Sequence, residues 1–375
     1  SDKFLEYEPE HSDIWAIKGI SLYRTGKYED AVAALDRSLE IDPVFVDAWL
    51  HKGLSLNMIQ KFGDAVEAFN KVLQLDPGNV TAYYHRGIAF TYQKRYRDAA
   101  TDFDAVLSSE PENSDALYLK GVACIKLSRY EDALASLTPI LQKRQDHPAS
   151  FYFCGIALAK LGRHKEAIES FEQAVDLDPE CAQAAYQEGI AYASLGRFSE
   201  AVTAYDRALK INPLFTETLY HKGFALAKLG NINEAILEFD RTIQQDKKNA
   251  QAYHQKGLLL AKIGKFEEAI DSYNKSIEIR PSYAQTFFDK GLSLVKLERF
   301  EQAIETFKQA IAINPNYVNA HYNLGLALLQ LGRFDDAVHA FDQALEIDPT
   351  NTLVLSQRGT ALVQIRHYAE AVVEL

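Results

Sequence analysis

Three cysteines in 375 residues (Cys124, Cys154 and Cys181), none spaced as C-x-x-C, leave no basis for a disulfide framework or a thiolate metal site. They read as the reduced thiols of a cytoplasmic protein. Proline is scarce, at 11 residues, and no Gly/Ser-rich linker, low-complexity tract or block of like charge marks a boundary between domains. Positive charge is in the minority. Forty Lys and Arg against 52 Asp and Glu give a net charge of -12, which excludes nucleic acid or an anionic membrane as a partner held by bulk electrostatics. No apolar run approaches the ~18 residues of a membrane-spanning helix. The opening SDKFLEYEPEH lacks the apolar stretch of a signal peptide. Catalytic signatures are missing as well: there is no G-x-x-x-x-G-K-[ST], H-E-x-x-H, G-x-S-x-G or G-x-G-x-x-G. The ten histidines are dispersed, whereas a reaction centre needs unlike residues converging in one pocket. These absences predict no enzymatic activity, no bound metal and no cofactor.

What the chain does have is a period. Glycine recurs from Gly19, Gly53 and Gly87 through to Gly325 and Gly359, always at intervals of 34. An alanine follows each glycine by twelve residues, from Ala31 to Ala371, and Asp-Pro or another X-Pro closes most units, as at Pro43, Pro77 and Pro349. Self-similarity at such a period signals a stacked-repeat architecture.

In the second repeat the pattern reads Trp49, Gly53, Leu56, Phe62, Ala65, Phe69, Asp76, Pro77. This resembles the tetratricopeptide repeat family, and the resemblance covers essentially the whole chain. The Lys-Gly pairs (Lys52-Gly53, Lys256-Gly257, Lys290-Gly291) are similar to those of prokaryotic, especially archaeal, members. The resemblance implies an all-α fold, an α-solenoid of antiparallel helix pairs wound into a right-handed superhelix with first helices on the concave side. With each glycine set at position 8, residues 12–351 form ten full repeats. Residues 1–11 match the second-helix end of a preceding repeat, and 352–375 begin an eleventh. Neither end shows the polar cap that a solenoid terminus needs, so end-to-end self-association through uncapped repeats is one expectation.

Within a repeat, positions 4, 8 and 11 (Tyr83, Gly87 and Phe90 in the third) follow the apolar stripe of a helix, and positions 17, 20 and 24 (Phe198, Ala201 and Tyr205 in the sixth) mark a second. Gly26, Gly162, Gly196, Gly230, Gly264 and Gly332 fall between the two helices, where a positive φ is wanted. Lys52 and Lys222 sit beside the packed stripe, with the stem on apolar surface and the head in water.

Positions 2, 5, 6, 9, 12 and 13 lie on the opposite face of the first helix at 100° per residue, the face that the family architecture turns toward the groove. Position 5 is aromatic for most of the array: Tyr84, Tyr118, Tyr152, Tyr186, Tyr220, Phe288 and Tyr322, with His254 interrupting. Position 9 carries Ile156, Ile190, Phe224, Leu258 and Leu292, and position 13 carries Lys160, Lys228, Lys262 and Lys296. Position 6 becomes a polar ladder: Gln187, His221, Gln255, Asp289 and Asn323. Its placement resembles the asparagine ladder of O-GlcNAc transferase, with Asn323 alone matching in type. Tyrosine buries ring area while its hydroxyl stays paired or wet, and mixed donors and acceptors suit the amides of an extended peptide. Packing of the position-5 rings against the next repeat is the competing reading. The family's carboxylate clamp, Lys at position 5 with Asn at positions 6 and 9, is missing.

Pro139, late in the fourth repeat's second helix, and Gln145, where a closing proline belongs, predict either flexing of the array near 139–148 or a kink absorbed locally. The functional expectation is a non-enzymatic scaffold whose concave groove binds a protein or peptide. The alternative is the substrate-recognition or regulatory arm of a larger multidomain enzyme such as a glycosyltransferase.

Overall fold

The computed structural model describes residues 11–368 and residue 371, and among them there are 21 helices and no strand. The proposed remnant of a preceding repeat (1–11) lies, but for His11, outside the described residues. From Ser12–Arg24 and Tyr28–Ile41 to Val318–Gln330 and Phe334–Ile347, helices of 13 or 14 residues come in pairs, one pair to each repeat.

Local chemistry sets the ends of each helix. Asn79, Asn113, Asn249 and Asn351 cap first helices, each accepting with Oδ1 from the backbone N–H three residues on, at 2.9–3.3 Å. At the other end of the pair, a residue preceding proline cannot stay helical: Asp42 and Asp76 leave the α region at φ -129° and -134°. The turn between the helices needs one left-handed residue. Six repeats supply glycine there, with φ between 69° and 86°, whereas Gln60, Lys94, Ser128, Glu298 and Arg366 adopt it with side chains, at φ 59–65°.

The core lies between the two helices of a pair. Phe69, Phe103, Phe171, Phe239, Phe307 and Phe341, all at position 24, are fully buried. Each ring lies across the glycine of its own repeat; a Cβ on Gly53 would stand 2.6 Å from Phe69 Cε1. The repeating glycine is therefore the seat for this ring.

By internal contacts the chain forms two compact units, up to residue 191 and from residue 192. In each, a second helix packs against its own first helix and against the first helix of the following repeat. Successive first helices also touch, while successive second helices, among the described residues, do not. The first-helix layer is thus the inner side of each unit's curvature.

Pro139 does not break its helix. Tyr130–Lys143 runs through it and packs on the first helices of both the fourth and fifth repeats, and the division into units falls away from 139–148.

The lysine heads beside the packed stripe do more than reach water. Lys52 Nζ lies 2.6 Å from Asp36, Lys120 2.6 Å from Asp104, Lys222 2.8 Å from Asp206 and Lys256 2.6 Å from Asp240. Position 7 of one repeat is thereby strapped to position 25 of the repeat before it. Pairs this exposed each contribute about 0–1 kcal/mol, so their main effect is on register and on the charge of the outer face.

Candidate functional site

The predicted stripe divides by burial. The position-13 lysines (Lys160, Lys228, Lys262, Lys296) are exposed, and Lys228 Nζ stands 5.2 Å above the Phe224 ring. Phe224 is itself 36% exposed, while Ile156, Ile190, Leu258 and Leu292 are half-buried. Tyr84, Tyr118, Tyr152, Tyr186, Tyr220 and Tyr322 are also half-buried, because each ring must serve the core as well as the surface. Tyr84 meets Phe103 at 6.3 Å between ring centroids, Tyr152 meets Phe171 at 6.1 Å, Tyr220 meets Phe239 at 5.6 Å and Tyr322 meets Phe341 at 6.1 Å. Burial pushes the phenols of Tyr84, Tyr118, Tyr152 and Tyr220 up. These hydroxyls are donors that stay protonated.

Three of the expected groove residues are not surface residues. His254 is 5% exposed, Phe288 9% and Asp289 9%. Phe288 packs on Phe307 and on Tyr317, at 5.9 and 5.0 Å. His254 Nε2 donates to Asp289 Oδ2 at 2.8 Å, and Gln285 Nε2 donates to Asp289 Oδ1 at 3.0 Å. The Tyr317 hydroxyl in turn donates to Gln285 Oε1 at 2.6 Å; burial, with Asp289 nearby, pushes that hydroxyl up to about 12. A buried carboxylate is tolerated only when it is paired in this way. The polar ladder is therefore interrupted at Asp289, whose oxygens are committed to an internal network.

The other rungs, Gln187, His221, Gln255 and Asn323, are half-buried. Asn323 turns back along its own helix, its Nδ2 donating to the Asn319 carbonyl at 2.8 Å. His85, at the same position in the third repeat, stacks on Phe69 of the repeat before it, 6.3 Å away with planes 21° apart. Burial lowers the pKa of both His85 and His221, with Glu217 opposing the shift at His221.

One stretch of the stripe opens into a recess. On the first-helix side of the seventh and eighth repeats, a cavity of about 570 Å³ is lined by Thr216, Glu217, Tyr220, His221, Asp246, Asn249 and Gln251. The helix Thr216–Leu229 supplies four of these, and Gln251 comes from the first turn of Ala250–Lys262. Asp246 and Asn249 come from the turn between the repeats, where Asp246 Oδ1 accepts from Lys248 N at 3.0 Å and Asn249 caps the helix. Of the predicted residues the cavity gathers Tyr220 and His221; the rest are laid out along the array. Glu217 and Gln251 occupy position 2 of the same stripe, so the periodicity already carried their signal. Asp246 and Asn249 gave none, since turn and cap roles account for those residue types by themselves.

Chemically the recess offers two carboxylates, two carboxamides, a hydroxyl, an imidazole and a phenol around one aromatic face. That is a set for recognising a polar segment. Among the described residues no three His, Cys, Asp or Glu are disposed to hold a metal. Cys124 and Cys154 are buried, and burial pushes the Cys154 thiol up to about 12, far from a nucleophilic thiolate. No helix among the described residues is long and apolar enough to cross a membrane.

Family models agree with this architecture. A family model described as tetratricopeptide repeat matches residues 2–44, 18–80, 155–214 and 288–352, more than half of the chain, and a second of that description matches 250–283. A model for the anaphase-promoting complex (cyclosome) subunit 3 matches 58–140 and 92–174. No curated protein matches the chain. Among solved structures, YrrB, described as a TPR protein with an unusual peptide-binding site, is 24% identical over 49% of this chain and 95% of its own, with a TM-score of 0.45. MamA is 30% identical over 43% and 94%, with a TM-score of 0.42. Yeast Tom70 is 17% identical over 97% and 90%, with a TM-score of 0.42.

Proposed function

The chain belongs to the tetratricopeptide repeat family, and on that premise we propose that it is a non-enzymatic scaffold holding an extended peptide segment of a partner protein against its first-helix face. The observation that carries this reading is the cavity at Tyr220 and His221. Its volume lies within the ~300–1,000 Å³ range typical of ligand pockets, and its lining includes both donors and acceptors able to pair with a peptide backbone.

The charges narrow the partner. Glu217 and Asp246 line the recess, while the exposed lysines of position 13 stand eleven residues on from position 2 along each first helix. A bound segment therefore places a basic side chain at the recess. The half-buried Tyr220 ring, fixed on Phe239, needs no ordering on binding, which favours affinity.

Affinity capture of partners from the native extract, compared with the Tyr220→Ala/His221→Ala variant, tests the reading. Loss of the captured partners with an unchanged melting temperature supports it. Recovery of the same partners in the same amount sinks it.

A further inference from the structure

The outer face of the array carries its own periodic junction, and one copy of it has a lysine at position 25, where every other repeat has an acidic or neutral residue. Between the first and second repeats the junction holds Asp36, Trp49 and Lys52, and between the second and third it holds Asn70, Arg86 and Asp102. The eighth repeat places Lys256 at the same point. In each, the cation at position 7 crosses the junction to an acceptor on the preceding second helix: Lys52 to Asp36, Arg86 to Asn70 and Lys256 to Asp240, each at 2.6 Å, with Arg86 also held by Asp102 of its own repeat at 2.6 Å. The strap cancels the charge, and each of these junctions still holds a cavity of about 300–370 Å³.

Between the ninth and tenth repeats both partners change. Position 7 is Leu324 and position 25 of the preceding repeat is Lys308. The cavity there, of about 340 Å³, matches those of the strapped junctions in size but has no strap beside it. Buried Leu324 and Leu328 form its floor, with Ile311 and Ala340 as walls. Its rim is cationic. The single carboxylate in the lining, Asp336, is held by Arg333 at 2.6 Å. Lys308 and His339 are exposed and, among the described residues, have no carboxylate within ion-pair distance.

An apolar floor beside the unpaired Lys308, on a chain with a net charge of -12, is what distinguishes this junction. We infer that the junction of the ninth and tenth repeats is a second docking site, taking one large apolar side chain of a partner peptide flanked by carboxylates. The volume, near the lower limit of ~300 Å³ for ligand pockets, admits a side chain and little more. The flanking Asp or Glu pairs with Lys308. This site is on the second-helix face and does not depend on the recess at Tyr220.

The test uses the full chain and labelled, C-terminally amidated peptides carrying a single Phe, Leu or Trp between pairs of Asp or Glu, read by fluorescence anisotropy. Saturable binding is expected for at least one of them. It should weaken about tenfold or more in Leu324→Lys/Lys308→Asp, which rebuilds the strap found at Lys256 and Asp240. It should be unchanged in Tyr220→Ala/His221→Ala, which separates this site from the first. If the double variant melts early, the single change Lys308→Glu, at an exposed position, gives the same reading. A control peptide with Lys in place of the acids should bind at least about tenfold more weakly. Absence of saturable binding by every acidic peptide, equal binding of the basic control, or binding that ignores the rebuilt strap would each overturn the inference.

Discussion

Gly53 and Gly223 end identical His-Lys-Gly triplets, yet the structure predicts different responses to alanine. A Cβ on Gly53 would stand 2.6, 2.8 and 2.9 Å from Cε1, Cζ and Cδ1 of Phe69, a ring that is 0% exposed and has nowhere to turn. Such overpacking costs about 1–3 kcal/mol. Alanine returns about 1 kcal/mol of helix propensity in the interior of Val46–Met58. The net expectation for Gly53→Ala is a local loss of up to about 2 kcal/mol. At Gly223 the nearest atoms of Phe239 are 3.1 and 3.2 Å away, so a shift of a few tenths of an ångström suffices. There the propensity gain offsets the crowding, and Gly223→Ala should lie within about 0.5 kcal/mol of the native chain. Repeat arrays need not unfold in one step, so the assay is hydrogen exchange resolved to the helices of the second and seventh repeats, which reports local opening free energy. Exchange in the second repeat should accelerate by up to about thirtyfold in Gly53→Ala. Equal effects at the two sites, or a stabilised Gly53→Ala, would refute the account of the glycine as a seat for the ring.

Four further outcomes follow from the same geometry. Ser128→Gly, at φ 60°, should stabilise the fourth repeat by about 1 kcal/mol, seen as slower local exchange. Pro139→Ala restores the missing bond to the Ala135 carbonyl inside an uninterrupted helix and should stabilise it by about 2 kcal/mol, after allowing for the freer unfolded chain. Burial lowers the pKa of His85 and His221, so the folded state binds fewer protons than the unfolded. Their contribution is complete above about pH 6.5 and is lost as the pH falls from there toward the folded values. Melts at neutral pH and about one unit below pH 6.5 should show that loss reduced in His85→Gln/His221→Gln. Asp289→Ala leaves His254 and Gln285 without their acceptor and should cost about 1–3 kcal/mol in the ninth repeat, whereas Gln255→Ala, on the half-buried ladder, should cost little.

The fold was legible because one chain contains its own alignment. Glycine, alanine and proline at a 34-residue period state where helices pack, turn and stop, and the structure keeps that register through Pro139. Surface and interior were harder to separate. Tyr220 and Phe288 share position 5, but one is half-buried and the other buried, because Tyr317 closes over Phe288. His254 and Asp289 are 35 residues apart, one more than the period, so a comparison of equivalent positions never sets them side by side. The straps were hidden for the same reason: Lys52 meets Asp36, which belongs to a different position of a different repeat. The recess was half-visible, through Tyr220 and His221, and its acidic edge came from a turn whose residues are explained locally by capping.

The central claim is that a partner segment lies on the first-helix face at the seventh and eighth repeats. A photo-crosslinking residue placed at Gln251, on the edge of the recess, tests it most directly against one at His339 on the opposite face. Cross-linked peptides identified by mass spectrometry should include, at Gln251, a partner segment containing Lys or Arg that disappears when Tyr220→Ala/His221→Ala is combined with the probe. The same segment recovered equally at His339, or recovered at Gln251 regardless of Tyr220 and His221, would contradict it.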